Sequence, residues 1–353
     1  MSALPGVYHD RYHQSWVDRS GPGDSRPTAL QVVKDEDRLG KLDGLVVVIT
    51  GCSSGIGIET LRAIHATGAT TFATARKPDV LAEVVAKIEN EDSNNKASIH
   101  QIVMDLESFD SVRKAASEIL EKSGGKVNIL INNAGVMATP EGKTKDGWET
   151  QFGTNHLAHF LLFQILKPAL LASSTPEFNS RVVNVSSIGH RYGPVHVGDY
   201  NFEKVEGGYN PWSGYGQSKT ANIWMASEIT RRYGSKGLHG LSLHPGGIMT
   251  PLSKHLDAST LDRWSAPEIQ KYMKNPEQGA ATQVIAAIGR EFEGRGVLWL
   301  SNCEEYGPVS DEVAAQGAGA VFGYEGYHPH AKDEAGAKQL WVDSSKIVGV
   351  TED

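Results

Sequence analysis

The chain has 353 residues, 39% of them hydrophobic and 22% charged, with a formal net charge of -8. That is enough apolar material for a sizeable core, and the acidic balance argues against nucleic acid as a main partner, which wants clustered Lys and Arg. Two cysteines, Cys52 and Cys303, are too few for a disulfide framework or a zinc site and point to a reducing, cytoplasmic setting.

Residues 1–43 read as an extension, polar and turn-rich (SGPGDSRP, 20–27). The first residues lack the apolar h-region of a secretory signal. One short helix is predicted, TALQVVKDED over 28–37, with Thr28 as its N-cap. A packed arm and a flexible tail both fit this composition.

From residue 44 a rhythm begins. LVVVIT (45–50) is a continuous apolar run, as a strand covered on both faces requires. A helical pattern follows from about 55 to 67, then a strand at TTFATA (70–75) and a helix at VLAEVVAKIE (80–89). SIHQIVM (98–104) reads as strand, FDSVRKAASEILEK (109–122) as helix and VNILINN (127–133) as strand. A long helix is expected over 147–171. Its apolar run LAHFLLFQILKPALL (157–171) contains His159, Gln164, Lys167 and Pro168. No apolar run approaches the ~18 residues that span a bilayer, so this one reads as a buried helix and no membrane anchor is expected. RVVNVSS (181–187) is a strand, 215–233 a helix, LHGLSLH (238–244) a strand, PEQGAATQVIAAIG (276–289) a helix and RGVLWL (295–300) a last strand.

This alternation predicts an α/β fold: a three-layer doubly wound, Rossmann-type parallel sheet of about seven strands, with an N-terminal arm and a C-terminal helical tail. The expected organisation is one domain over 44–353, with substrate-covering segments where the rhythm breaks, at 188–212, 250–275 and 303–353.

TGCSSGIG (50–57) joins the first strand to the first helix. Gly51 allows the tight turn, Gly55 a close approach of a pyrophosphate, and Gly57 close packing of helix on strand. Ser53, Ser54 and Ile56 complete the turn, and the helix N-terminus offers amide N–H groups to an anion. An ordinary βα loop is the bland alternative, but the position after the first buried strand favours a dinucleotide. The second strand ends in ATARKP (73–78). Arg76 and Lys77 stand about 20 residues after the glycine turn, where an acidic residue would bind the ribose diol and an Arg accommodates a 2′-phosphate. Positive charge at a helix start is otherwise disfavoured by the dipole, so the pair points to NADP(H) rather than NAD(H).

YGQSK (215–219) places Tyr215 and Lys219 one turn apart on one helix face. A free tyrosine has a pKa near 10, too high for ready proton exchange at neutral pH. A neighbouring ammonium favours the phenolate, as does an oxidised nicotinamide, so the expectation is a tuned acid/base. Alone, such a pair is common on exposed helices.

The TGxxxGxG spacing, with the later motifs in order, resembles the short-chain dehydrogenases/reductases over about residues 44–300. The segment ending AKQLWVDSSK (337–346) resembles the retinol-dehydrogenase-like and WW-domain-oxidoreductase-like subgroup, and the 1–43 arm resembles that of fungal members. The resemblance implies further roles. Asp105 and Leu106 in MDL (104–106) would meet the adenine, and Asn133, Ala134 and Gly135 in NNAG (132–135) would let the cofactor pass close to the backbone. Pro245, Gly246, Ile248 and Thr250 in HPGGIMT (244–250) would lie along the nicotinamide and phosphate. Ser187 would stabilise the substrate oxygen, Lys219 would also bind the nicotinamide ribose, and Asn155 would hold a water in a proton relay. Strand alternation puts Ser186 and Ser187 on opposite faces, so only one can serve.

The segment IGHRYGPVHVGDYNFEKVEGGYNPW (188–212) reads as an insertion rich in glycine and aromatics: Tyr192, Tyr200, Phe202, Tyr209 and Trp212. With Met249, Leu252, Leu256 and Trp264 it suggests a cover over a bulky apolar substrate; a locally packed loop is the alternative. Glu304, Glu305 and Tyr306 are expected near the site. His156 and His159, and His328 and His330, lack companion ligands at metal spacing, so no metal is expected.

The expected activity is therefore NADP(H)-dependent ketone or aldehyde reduction, or its reverse, on a small molecule, with a specialised metabolite implied by the fungal resemblance. An epimerase or dehydratase with retained cofactor, and a non-catalytic NADP-binding sensor or scaffold, are the alternatives. The helices over 157–171 and 215–233 either pair across a homodimer or are covered by arm and tail.

Overall fold

The computed structural model describes residues 11–92, 94–316 and 322–351, so residues 1–10 of the expected extension and 317–321 and 352–353 of the expected C-terminal cover lie outside the described residues. Eight strands form the main sheet: β1 Val46–Thr50, β2 Thr70–Ala75, β3 Ile99–Val103, β4 Ile129–Asn132, β5 Ser180–Val185, β6 Leu238–His244, β7 Leu298–Ser301 and β8 Glu304–Glu305. Their order is β8-β7-β6-β5-β4-β1-β2-β3. All pair in parallel except β8, which returns antiparallel to β7 and adds one strand to the seven expected.

The continuous apolar runs follow from burial on both faces. In β1, Val47 and Ile49 enter one core while Val46 and Val48 enter the other; in β4, Ile129 and Ile131 divide from Leu130 in the same way. Helices α1 Ala29–Asp35, α2 Ile56–Ala66, α3 Pro78–Glu91 and α7 Ala281–Ile288 cover the first face. Helices α4 Phe109–Lys122, α5 Ala158–Ser173, α6 Pro211–Tyr233 and α8 Glu334–Val348 cover the second.

The described part of the extension is a packed arm. Thr28 caps α1 by accepting the Gln31 N–H, and Val32 and Val33 are fully buried against α2 and α7. Arg26, 4% exposed, pins the arm through its guanidinium to the carbonyls of Gly21 (3.0 Å) and Met273 (2.5 Å). At the other end, α8 lies across α5 and α6, where Trp341 stands edge-on to Phe160 at 5.0 Å.

Two expected helices are interrupted. The one over 147–171 begins as a single turn at Thr150–Phe152, widens to a π-turn at Gly153–Leu157 and only then continues as α5. The one over 276–289 divides at Ala280 into Pro276–Gly279 and α7. Helix α6 starts earlier than expected, at Pro211 behind the Asn210 cap, so the insertion ends inside a helix. Among the described residues one helix, Thr150–Ser173, is long and apolar enough to cross a membrane, and 72% of its apolar window is buried in the core.

Candidate active site

The sheet order reverses between β1 and β4, and doubly wound sheets open a crevice beyond the strand ends at that point. A cavity of about 560 Å³ occupies it. Every residue expected along the cofactor, from Gly51 through Arg76, Asp105 and Gly135 to Thr250, lines this cavity, as do Ser187, Tyr215 and Lys219.

The glycines of the first turn are required by space. A Cβ on Gly57 would lie 2.0 Å from the Gly51 carbonyl oxygen, and one on Gly51, which has φ +76°, 2.8 Å from Ala134. Thr50 ties this turn to the β4 end. Its Oγ1 accepts the N–H groups of Asn133 and Ala134, each at 3.0 Å, and meets His159 Nε2 at 2.9 Å. His159 Nδ1 in turn donates to the Asn155 carbonyl at 2.9 Å. Burial holds His159 far below its usual range, near pKa 4, so the ring serves here as a neutral strut.

Asn155 is fully buried and is not part of the cavity wall. Its amide braces the β4 loop, accepting the Val136 N–H (2.8 Å) and donating to the Val136 carbonyl (2.9 Å) and Ser218 Oγ (2.9 Å). The π-turn aims it there. Lys219 is close by: a Cβ on Gly135 would meet Asn155 Oδ1 at 3.0 Å and Lys219 Nζ at 3.4 Å.

Tyr215 is 4% exposed. Burial pushes its hydroxyl up to about 12, and a hydrogen bond with Ser187 pulls it back only in part. Lys219 Nζ lies 5.6 Å from the Tyr215 ring centroid and donates to the Val185 carbonyl at 3.0 Å. Burial lowers the lysine to about 8. The tyrosine is set by burial, with Ser187 lowering it and Tyr192 raising it, and the expected pull from the lysine is not among these causes. Both serines border the cavity, but the Ser186 hydroxyl is spent on the Lys219 carbonyl at 2.7 Å, whereas the Ser187 hydroxyl meets Tyr215.

At the far end, Arg76 and Lys77 are exposed, and Arg76 Nη1 lies 3.3 Å from Glu107 Oε1. The Asp105 carboxylate accepts Lys145 Nζ at 2.7 Å.

The insertion splits between the two readings. Tyr192 and Trp212 line the cavity and pack on each other at 4.8 Å. Tyr200 instead stacks on Phe152 at 4.8 Å, and Phe202 packs edge-on to Tyr209 at 5.7 Å. Leu252 and Trp264 also line the cavity, and Leu256 packs beside them. Met249 is 49% exposed and is not part of the wall. The expectation for Glu304, Glu305 and Tyr306 is corrected, since none of them lines the cavity. Glu304 accepts from the Tyr306 hydroxyl and pairs with His13 of the arm, while Glu305 pairs with Arg295. The sequence reading passed over Phe322, His244 and Gly189, all of which line the cavity. The two small or polar residues nearest the motifs, Gly189 and His244, carried a signal in their position; Phe322 carried none. Cys52, buried in the turn, has its thiol pushed up to about 12 by burial and is a poor nucleophile. Among the described residues no group of His, Cys, Asp or Glu is placed to hold a metal.

A doubly wound sheet with a glycine turn at one end of its crevice and a serine, tyrosine and lysine at the other defines a dinucleotide-dependent type of oxidoreductase. The short chain dehydrogenase family model matches residues 45–205, a span that stops short of Tyr215 and Lys219. A short-chain dehydrogenase/reductase of Penicillium roqueforti, prx1, is 47% identical over 345 residues, covering 98% of this chain and 96% of its own. Human retinol dehydrogenase 13 is 31% identical over 312 residues, 88% of this chain and 86% of its own. A crystal structure of an uncharacterised Mycobacterium paratuberculosis protein superposes with a TM-score of 0.64 at 29% identity, over 89% of this chain and 97% of that one. The chain belongs to the short-chain dehydrogenase/reductase family of oxidoreductases.

Proposed function

We propose that the protein is an NADP(H)-dependent carbonyl reductase or alcohol dehydrogenase acting on a bulky, apolar small molecule. The observation that carries this reading is the shared cavity: the glycine turn and Arg76 at one end, Ser187, Tyr215 and Lys219 at the other. The wall fits a dinucleotide. Side chains at Gly51 and Gly57 would collide with backbone, and Arg76 and Lys77 stand where a 2′-phosphate would be met. A bound nicotinamide supplies or takes the hydride.

The chain's own residues handle the oxygen and the proton. Tyr215 is held protonated by burial, which suits it to give a proton to the oxygen of a reduced carbonyl. Ser187 Oγ accepts the Gly189 N–H at 2.9 Å and hydrogen-bonds Tyr215, so its proton can turn from the tyrosine to a substrate oxygen on the cavity side, where negative charge develops. Lys219, near pKa 8, is largely protonated at neutral pH and stands behind the tyrosine as the next proton donor. Tyr192, Trp212, Trp264, Leu252 and Phe322 give the substrate end its apolar wall and exclude water.

The test is a fluorescence titration with NADPH and with NADH, followed by a screen of bulky ketones in which Tyr215→Phe is the inactive control. Binding of neither cofactor would remove the reading.

A further inference from the structure

The peptide that follows Ser187 is held at both of its polar atoms. Its carbonyl oxygen, on Ser187, lies 2.7 Å from His190 Nδ1 and also accepts the His190 backbone N–H at 3.0 Å. Its N–H, on Ile188, donates to His244 Nδ1 at 3.1 Å. These partners set both tautomers. His190 Nε2 accepts the backbone N–H of His328 at 2.9 Å, so the ring proton sits on Nδ1 and is donated to the Ser187 carbonyl. His244 Nδ1 accepts, so its proton sits on Nε2. His190 is fully buried, His244 is 9% exposed, and the His190 ring stands edge-on to Trp299 at 4.9 Å.

We propose that His190 and His244 are positioning residues for Ser187, clamping the Ser187–Ile188 peptide so that the serine hydroxyl stays aimed at the reacting oxygen beside Tyr215. The inference rests on the role given to Ser187 above. Holding both polar atoms of the peptide fixes ψ of Ser187, and with it the direction of the serine side chain relative to the loop. Here the loop has no such freedom. Its next residue, Gly189, packs so closely on Tyr215 that an added Cβ would lie 2.6 Å from the ring.

The clamp also reaches the C-terminal segment. The stretch that offers the His328 N–H carries Phe322 into the cavity wall and is itself tied down at three carbonyls, that of Gly326 by Arg191 among them. Tyr324 accepts from Arg191 at 3.0 Å, and Glu325 accepts from Trp299 Nε1 at 2.7 Å. Docking of the substrate wall and alignment of the serine thus share one histidine.

Two readouts test this. Asparagine sets its amide nitrogen near the place of histidine Nδ1, whereas glutamine reaches toward Nε2. His190→Gln therefore loses the donor to Ser187, and His190→Asn keeps it. With NADPH and a bulky aromatic dicarbonyl such as phenanthrenequinone, His190→Gln should lower kcat roughly 10–100-fold with the NADPH Kd unchanged, and His190→Asn should recover most of that loss. In a Ser187→Ala background His190→Gln should cost nothing more, because the histidine acts through the serine. A loss that multiplies in the double variant, or an asparagine no better than glutamine, overturns the proposal. The second readout needs no substrate: isotope-labelled imidazole NMR should show an Nδ1–H on His190 and an Nε2–H on His244, assigned by their loss in single variants. The opposite tautomer on either ring overturns the clamp. Wild-type protein with both tautomers in place but no carbonyl reduction would uphold the clamp and refute the reductase reading, so the two fail separately.

Discussion

Gly189→Ala probes the close packing of the serine loop on Tyr215. The new Cβ would lie 2.6 Å from Tyr215 Cε1, 2.9 Å from Cδ1 and 3.2 Å from Ser187 Oγ. Ordinary contact begins at 3.4 Å, so the ring and the loop must separate by about 0.8 Å. The backbone at this glycine is not left-handed, so alanine brings no strain of its own. The loop is pinned by His190 and His244 at the adjoining peptide, which leaves the Tyr215 ring as the part that yields. A shift approaching 1 Å at a reacting group costs on the order of 10²-fold in rate, and overpacking costs ~1–3 kcal/mol of stability. The assay pairs kcat for carbonyl reduction with NADPH affinity by fluorescence titration. The expected result is a large fall in kcat with cofactor affinity within about twofold of wild type, because the glycine turn is far from the change. A variant that keeps both kcat and melting temperature would refute the packing argument for Tyr215.

Other variants bear on other parts of the molecule. Arg76→Ala should weaken NADPH about tenfold and leave NADH unchanged, measured by titration at fixed ionic strength; equal loss for both would remove the phosphate role. Lys274 is 5% exposed, donates to the Pro245 carbonyl at 3.2 Å and is lowered by burial to about 8. Because its folded pKa lies below the unfolded value near 10.5, the unfolded chain binds the extra proton between those pH values and stability rises with pH across that window. Lys274→Met should therefore stabilise the protein at pH 7, by at most ~3 kcal/mol, and the gain should shrink above pH 8; urea denaturation at both pH values reads it. Trp341→Ala should cost ~3–5 kcal/mol by emptying the space between Phe160, Phe163 and Arg232. The same variant uncovers part of α5 and should shift the protein toward larger species in size-exclusion chromatography.

The sheet was legible in the sequence because a strand buried on both faces must be apolar at every position, and runs such as VVVIT have no other reading at that length. The glycine turn was legible because only glycine tolerates its contacts. The helix interruption at Gly153–Leu157 was not: a π-turn keeps the composition of a helix and changes only its pitch. The aromatics of 188–212 carried no sign of which would face the cavity, because Tyr192 and Tyr200 are sorted by distant partners, Trp212 and Phe152, that their neighbours in sequence do not announce. Tyr215 and Lys219 were found from their spacing. The direction of the tyrosine's shift was missed, since desolvation depends on everything packed around the ring and spacing reports only the lysine.

The cavity wall is drawn from the chain in two separate groups of residues. The dinucleotide end comes from residues 51–57, 76–77, 105–106 and 133–135, and the apolar end from residues 192, 212, 252, 264 and 322. Apart from Pro245, Gly246, Ile248 and Thr250, which return to the dinucleotide end between residues 212 and 252, the first set precedes the second. Changes confined to residues 192, 212, 252, 264 and 322 would reshape the apolar end of the cavity and leave the glycine turn untouched, so the two ends can vary separately on one fold. His190 limits that freedom: a replacement in the terminal segment that moves the His328 N–H would be felt at the serine as well as in the pocket.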